Sequence, residues 1–156
     1  MNETAFQDQI PGNHCFGCGP ANAGGLRIKS YWHSDDSAIC RFQPSPHHCA
    51  GPERTLNGGI IATLIDCHCV CTAIADAYRR DGRTIGEGKA IWYATGKLEI
   101  SYRAPAPIDA ELELKARIDE ISERKTILSC SLGANGRSFA DARVVAVRVA
   151  DDWRGD

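Results

Sequence analysis

Between Gly58 and Arg80 the chain reads GGIIATLIDCHCVCTAIADAYRR, and it is apolar nearly all round from Ile60 to Ala77. Asn57 supplies an N-cap side chain, and Arg79 and Arg80 suit the negative end of a helix dipole. The pattern predicts one long helix over 58–80, roughly 35 Å long at a rise of about 1.5 Å per residue. Such a helix must be wrapped, because a helix lying on a surface keeps a polar face. The remaining sequence offers strands to wrap it. KLEISY, ELELKARIDEI, KTILSCSL and SFADARVVAVRV alternate apolar and polar side chains with period two, joined by short turns at 104–109, 122–124 and 134–136. Upstream, 26–32 and 37–42 read as two further strands with Asp35-Asp36 in a hairpin turn, and 82–95 reads as loop. Two strands, one helix and four strands predict an α+β domain, an antiparallel sheet against a single helix.

A length of 156 residues fits one domain. It is expected to span 13–150, between a polar arm at 1–12 and a tail at 151–156. Formal charge is 18 minus 20, or −2, so there is no basic surplus for a phosphate backbone and no nucleic-acid partner is expected. No apolar run is expected to reach the length a membrane span requires, and the N-terminus lacks an apolar signal core. A cytoplasmic protein with reduced thiols follows as the expectation for its eight cysteines.

Asp66 is a carboxylate in the middle of the apolar helix. At about 100° per residue, Ile61, Leu64, Ile65, His68, Cys71 and Ala75 fall on the opposite side and are expected to pack on the sheet. Gly59, Ala62, Thr63, Cys69, Val70 and Ala73 fall on Asp66's own side and are mostly small, which lets another backbone or a ligand come close. A buried carboxylate is paired, protonated or functional. Gly58-Gly59 opens the helix with bare backbone N–H groups and the dipole behind them, an oxyanion-type site; the alternative is a tight loop-to-helix turn. Gly58 and Asp66 lie about 12 Å apart along one helix, so one carbonyl cannot touch both. If both act on one carbonyl, they come from two copies of the chain across a two-fold axis.

These residues resemble the hotdog-fold acyl-CoA thioesterases of the PaaI type. Leu56-Asn57-Gly58-Gly59-Ile60-Ile61-Ala62-Thr63-Leu64-Ile65-Asp66 is similar to that family's HGG-x-x-x-T-L-x-D helix opening. YATGKLEISYRAP at 93–105 resembles the strand that follows, and CFGCGPAN with Gly25-Leu26 resembles a turn seen in many members. The resemblance implies a helix wrapped by an antiparallel sheet, a dimer or a dimer of dimers, and hydrolysis of an acyl-CoA thioester without a cofactor. It implies Asp66 as base or nucleophile, the Gly58 N–H of the other subunit as carbonyl donor, Gly59 as support for that turn, and Thr95 as a holder of the nucleophilic water. Asn57 stands where the family most often has His, and it can still cap the helix. Gly51 stands where relatives often carry a polar side chain, a role His47 or His48 can take over nearby. His48 and Thr63 are candidate substrate contacts. Arg103, Arg124 and Lys125 are candidates for the CoA phosphates, against the simpler reading of a solvated turn.

Three other readings compete. Cys15-x-x-Cys18 has zinc-ligand spacing, which His14, His47, His48 or Cys49 would complete if their loops fold together. A second C-x-x-C is missing, and the helical cysteines read as core fillers, so no metal is the expectation and a structural zinc at Cys15 and Cys18 the alternative. A hotdog hydratase or dehydratase would pair a histidine with the acid. A non-catalytic acyl-CoA-binding protein would bind without turnover.

Overall fold

The structure, a computed structural model, describes residues 3–155. In chain order the elements are helix α1 (Phe6–Gln9), strands β1 (Ser30–Trp32) and β2 (Ser37–Phe42), helix α2 (Gly58–Arg80), and strands β3 (Tyr93–Tyr102), β4 (Leu112–Ile121), β5 (Lys125–Ala134) and β6 (Arg137–Arg148). The long helix forms where its cap places it: Asn57 Oδ1 accepts from the N–H groups of Gly59 at 2.8 Å and Ile60 at 3.2 Å. At the other end, the buried Asp76 carboxylate receives Arg79 at 2.9 Å and Arg80 at 2.8 Å. The two arginines therefore satisfy a buried charge as well as the dipole.

The strands form one six-stranded sheet in the order β1-β2-β4-β5-β6-β3. Every pairing is antiparallel. Leu112, Leu114 and Ala116 of β4, Leu128 and Leu132 of β5, and Val144 and Ala146 of β6 are fully buried beneath the helix residues Leu64, Ile65, His68 and Ala73. The sheet curls around the helix, as the apolar circumference of α2 requires. The α+β architecture expected from the sequence, one helix wrapped by a single antiparallel sheet, is the one observed.

Several local expectations change. Residues 104–109 are not a hairpin turn: β3 pairs with β6, not with β4. The segment instead runs antiparallel to residues 54–56 just before α2, where Leu56 N–H donates to Ala106 C=O and Ile108 N–H to Arg54 C=O, both at 2.9 Å. The expected strand over 26–32 shrinks to Ser30–Trp32. Arg27 sits at φ 53°, and the N–H groups of Leu26 and Ile28 bond to Phe16 and Gly17 of the preceding turn, not to a strand. Residues 93–95, read as loop from their pattern, begin β3; a bulge between Thr95 and Lys97 breaks the period that would have revealed them. In the expected polar arm, Phe6, Gln7 and Ile10 are buried, and the Gln7 amide both donates to Ser30 Oγ and accepts from Ser30 N–H at 2.8 Å. In the tail, Asp151–Arg154 form a 3-10 turn with Trp153 facing Trp92. Residues 1, 2 and 156, at the ends of arm and tail, lie outside the described residues.

The membrane expectation also needs correction. Helix α2 is long and apolar enough to cross a bilayer by length and composition. Here it is wrapped by the sheet, most of its residues being buried.

His68, expected to pack on the sheet, is fully buried. Its Nε2 faces Ala38 C=O at 3.2 Å and its Nδ1 lies 2.7 Å from Ser30 Oγ, so the neutral ring with the proton on Nε2 satisfies both. Burial pushes its pKa down to about 4 from 6.5. The unfolded chain then binds more protons than the folded one between those two values, so stability falls as pH drops through that window. Lowering pH from 7 to 5 is expected to cost about 2 kcal/mol through this residue. Urea melts at the two pH values check it, with His68→Gln losing that part of the dependence.

Candidate active site

Asp66 lies half-buried in the middle of α2, on the side facing the start of β3. Its Oδ1 accepts a 2.5 Å hydrogen bond from Thr95 Oγ1. The bulge at Thr95 aims that hydroxyl at the helix, and Gly96 makes the bulge possible. A Cβ there would stand 2.6 Å from Val147 Cγ2. Burial raises the Asp66 pKa above the ordinary carboxylate value, the Thr95 hydrogen bond pulls it back down, and the nearby Cys18 sulfur adds to the rise. Beside this pair opens a cavity of about 270 Å³ walled by Val70, Ile74, Trp92 and Tyr93. A carboxylate held by one hydroxyl at the mouth of an apolar pocket can take a proton from water or attack a carbonyl.

Removing the Thr95 hydroxyl tests that pairing. Thr95→Val is expected to lower kcat/KM about tenfold, the scale of one hydrogen bond to a charged group. The lost bond favoured the ionised form, so the acid limb of the pH profile is expected to move to higher pH.

The helix start is built differently. Asn57 takes the N–H groups of Gly59 and Ile60 and leaves the Gly58 N–H outside its cap. Gly59 therefore serves the turn, and Gly58 carries the donor. Tyr102 O–H donates to Gly58 C=O at 2.7 Å, and its ring covers the glycine. That contact explains the place of Tyr102. Thr63 donates to Gly59 C=O at 3.0 Å and so turns toward its own helix, not toward Asp66. His48 is occupied as well: its Nδ1 accepts from Ser45 N–H, and its C=O accepts from Asn57 N–H, both at 2.9 Å. Burial and the neighbouring His47 push the His48 pKa below its ordinary value. It braces the loop against the helix cap and lines a cavity of about 320 Å³ beside Asn57 and Ile60.

The two halves of the site sit at opposite ends of β3. Thr95 and Asp66 mark one end; Tyr102 and Gly58 mark the other, about 12 Å away along α2. The basic candidates divide likewise. Arg103 follows Tyr102 and is ion-paired with Asp141 at 2.8 Å. Lys125 aligns with Val147, which aligns with Ala94, placing it and Arg124 at the Thr95 end. One chain alone does not bring Arg103 together with Arg124 and Lys125.

The small residues on Asp66's side are not all open to a ligand. Cys69 and Ala73 are fully buried. Cys71, expected against the sheet, packs instead under the 13–19 loop, its sulfur 3.7 Å from that of Cys18.

No protein-family model matches the chain. Acyl-coenzyme A thioesterase THEM4 of Xenopus laevis is 26% identical over 117 residues, which is 75% of this chain and 46% of THEM4. The chain thus spans about half the length of that curated relative. Among solved structures, a thioesterase superfamily protein from Shewanella loihica is 33% identical and superposes with a TM-score of 0.66, covering 88% of this chain and 96% of that one. The PaaI protein of E. coli shares the fold with a TM-score of 0.64 at 13% identity, over 80% of this chain and 81% of PaaI.

Proposed function

The chain belongs to the thioesterase superfamily, and from that premise we propose that it hydrolyses an acyl-CoA thioester to the free acid and CoA. The observation that carries this reading is the Asp66–Thr95 pair at the mouth of the apolar cavity. A volume of about 270 Å³ lies at the small end of ligand clefts, which suits an acyl group and leaves CoA to the surface.

As general base, Asp66 takes a proton from water while the oxygen attacks the thioester carbon. As nucleophile, its carboxylate attacks directly and water then hydrolyses the anhydride. In both routes negative charge gathers on the carbonyl oxygen, a donor must meet it, and collapse expels the CoA thiolate. The Gly58 N–H is that donor, supplied by a second copy. Strand β3 is a ten-residue edge strand with most of its side chains exposed. Such an edge is a template for pairing with its own symmetry mate. Antiparallel pairing centred near residues 98–99 would set Thr95 opposite the mate's Tyr102, and so Asp66 opposite the mate's Gly58. It would also carry the mate's Arg103 toward Arg124 and Lys125, a basic rim for CoA phosphates. A hydratase reading fits less well, since Asp66 has Thr95 as its partner within the chain and His48 is held by Ser45 and the cap.

The test follows direct ultraviolet loss of the thioester bond across short, medium, long and aryl acyl-CoAs. Thiol-reactive dyes would report the protein's own cysteines. Turnover confined to one acyl class is expected. Binding without turnover on every member would replace the enzyme by an acyl-CoA-binding protein.

A further inference from the structure

Three sulfurs from two distant segments converge behind Asp66, and a fourth stands against one of them. Cys15 and Cys18 come from the 13–19 loop, and Cys67 and Cys71 from successive turns of α2. Cys15 Sγ lies 3.6 Å from Cys67 Sγ, and Cys18 Sγ lies 3.7 Å from Cys71 Sγ. The sulfurs of Cys15, Cys18 and Cys67 all fall within 4.8 Å of one another. Four thiolates around a zinc ion at about 2.3 Å stand roughly 3.8 Å apart along the edges of their tetrahedron. The two close pairs match that edge, and Cys71 meets the other three sulfurs through Cys18, so closing the site draws its side chain inward.

The surrounding backbone is shaped to allow it. A Cβ on Gly17 would lie 2.3 Å from Cys67 Sγ, and one on Gly19 would lie 2.4 Å from Cys15 N. Glycine at both places lets the loop fold down over the helical sulfurs. Gly19 N–H closes the loop onto Cys15 C=O at 2.7 Å. Asn13 holds it from both sides, accepting from Cys15 N–H at 3.1 Å and donating to Cys18 Sγ at 3.6 Å. A side-chain N–H on a ligand sulfur is the outer support a thiolate site uses. Cys18, Cys67 and Cys71 are buried, while exposed Cys15 leaves a way in. The histidines weighed as ligands are not needed: the helix supplies the second pair.

We propose that Cys15, Cys18, Cys67 and Cys71 form a four-thiolate site for a zinc-type divalent cation that clamps the 13–19 loop to α2. Four thiols and one Zn²⁺ give a tetrathiolate complex of charge −2 and four protons released to solvent, with no change of oxidation state. The same four residues line the cavity beside Asp66, so the clamp shapes one wall of the pocket. The proposal does not depend on the thioesterase reading, and its test reads metal, not turnover.

The test expresses the full chain with zinc, removes loose metal with a chelator, and measures zinc per chain by atomic emission. About one zinc per chain is expected, falling below about a tenth in Cys18→Ser and in Cys71→Ser while Cys49→Ser keeps it. Should the two variants fail to fold, cobalt(II) loading of the unaltered chain decides. Intense thiolate-to-cobalt charge transfer with tetrahedral visible bands supports the site, and a weak octahedral spectrum overturns it. Loss of zinc from the unaltered chain, zinc retained in either variant, or a Cys15–Cys67 or Cys18–Cys71 disulfide found by mass spectrometry each overturns it.

Discussion

Asp66→Asn is expected to lower kcat by at least about 10³-fold on whichever acyl-CoA the protein hydrolyses, the scale of a removed base or nucleophile. The fold should not suffer. Asp66 is half-buried, its burial disfavours the charge, and an asparagine oxygen still accepts from Thr95. Thermal unfolding is therefore expected at the same temperature or slightly higher, and acyl-CoA affinity should change little. The pH profile supplies a second readout. Only the ionised carboxylate acts, so activity of the unaltered enzyme falls as pH drops through the raised Asp66 value, and residual activity of the variant lacks that limb. Full turnover in Asp66→Asn would remove the proposed mechanism and leave the reaction standing.

Gly58→Pro is expected to lower kcat by about 10²- to 10³-fold, the cost of one oxyanion donor. Proline removes the N–H and is accepted at the first helical position. The site suits it: Asn57 already has ψ 132°, which a following proline favours, and a Cβ at Gly58 meets Tyr102 no closer than 3.5 Å. Gly58→Ala keeps the N–H and should stay within a few-fold of the unaltered enzyme, separating the lost donor from crowding. Mixing the Pro variant with Asp66→Asn then decides where the donor comes from. If the site joins two chains, each mixed dimer holds one intact pair, and a random equal mixture recovers about a quarter of full activity. If Gly58 serves its own chain's Asp66, the mixture stays inactive.

The legibility of this site varied with the range of the interactions that build it. Asn57, Gly58, Gly59 and Asp66 lie within one helix, where spacing converts directly into faces and caps. Thr95 was placed by resemblance, and the feature that aims it, a bulge at Gly96, interrupts the very alternation by which a strand is recognised. Thr63 and His48, read as candidate substrate contacts, turn their polar atoms to backbone groups of the helix cap and its loop. The cysteines were legible in part. Spacing marked Cys15 and Cys18, while the helical cysteines read as core fillers; no local pattern joined the two pairs across more than fifty residues.

Amino-acid order alone established an apolar helix too hydrophobic to lie on a surface, strands of period two to enclose it, and a carboxylate stranded within it. Those are statements about how each segment meets water, and periodicity records them residue by residue. The partner of β3, the turning of 26–29 onto the preceding loop, and the meeting of loop and helix sulfurs were decided by tertiary structure. Each depends on which distant surfaces fit together, and two segments carry no mark of each other until the chain closes around its core.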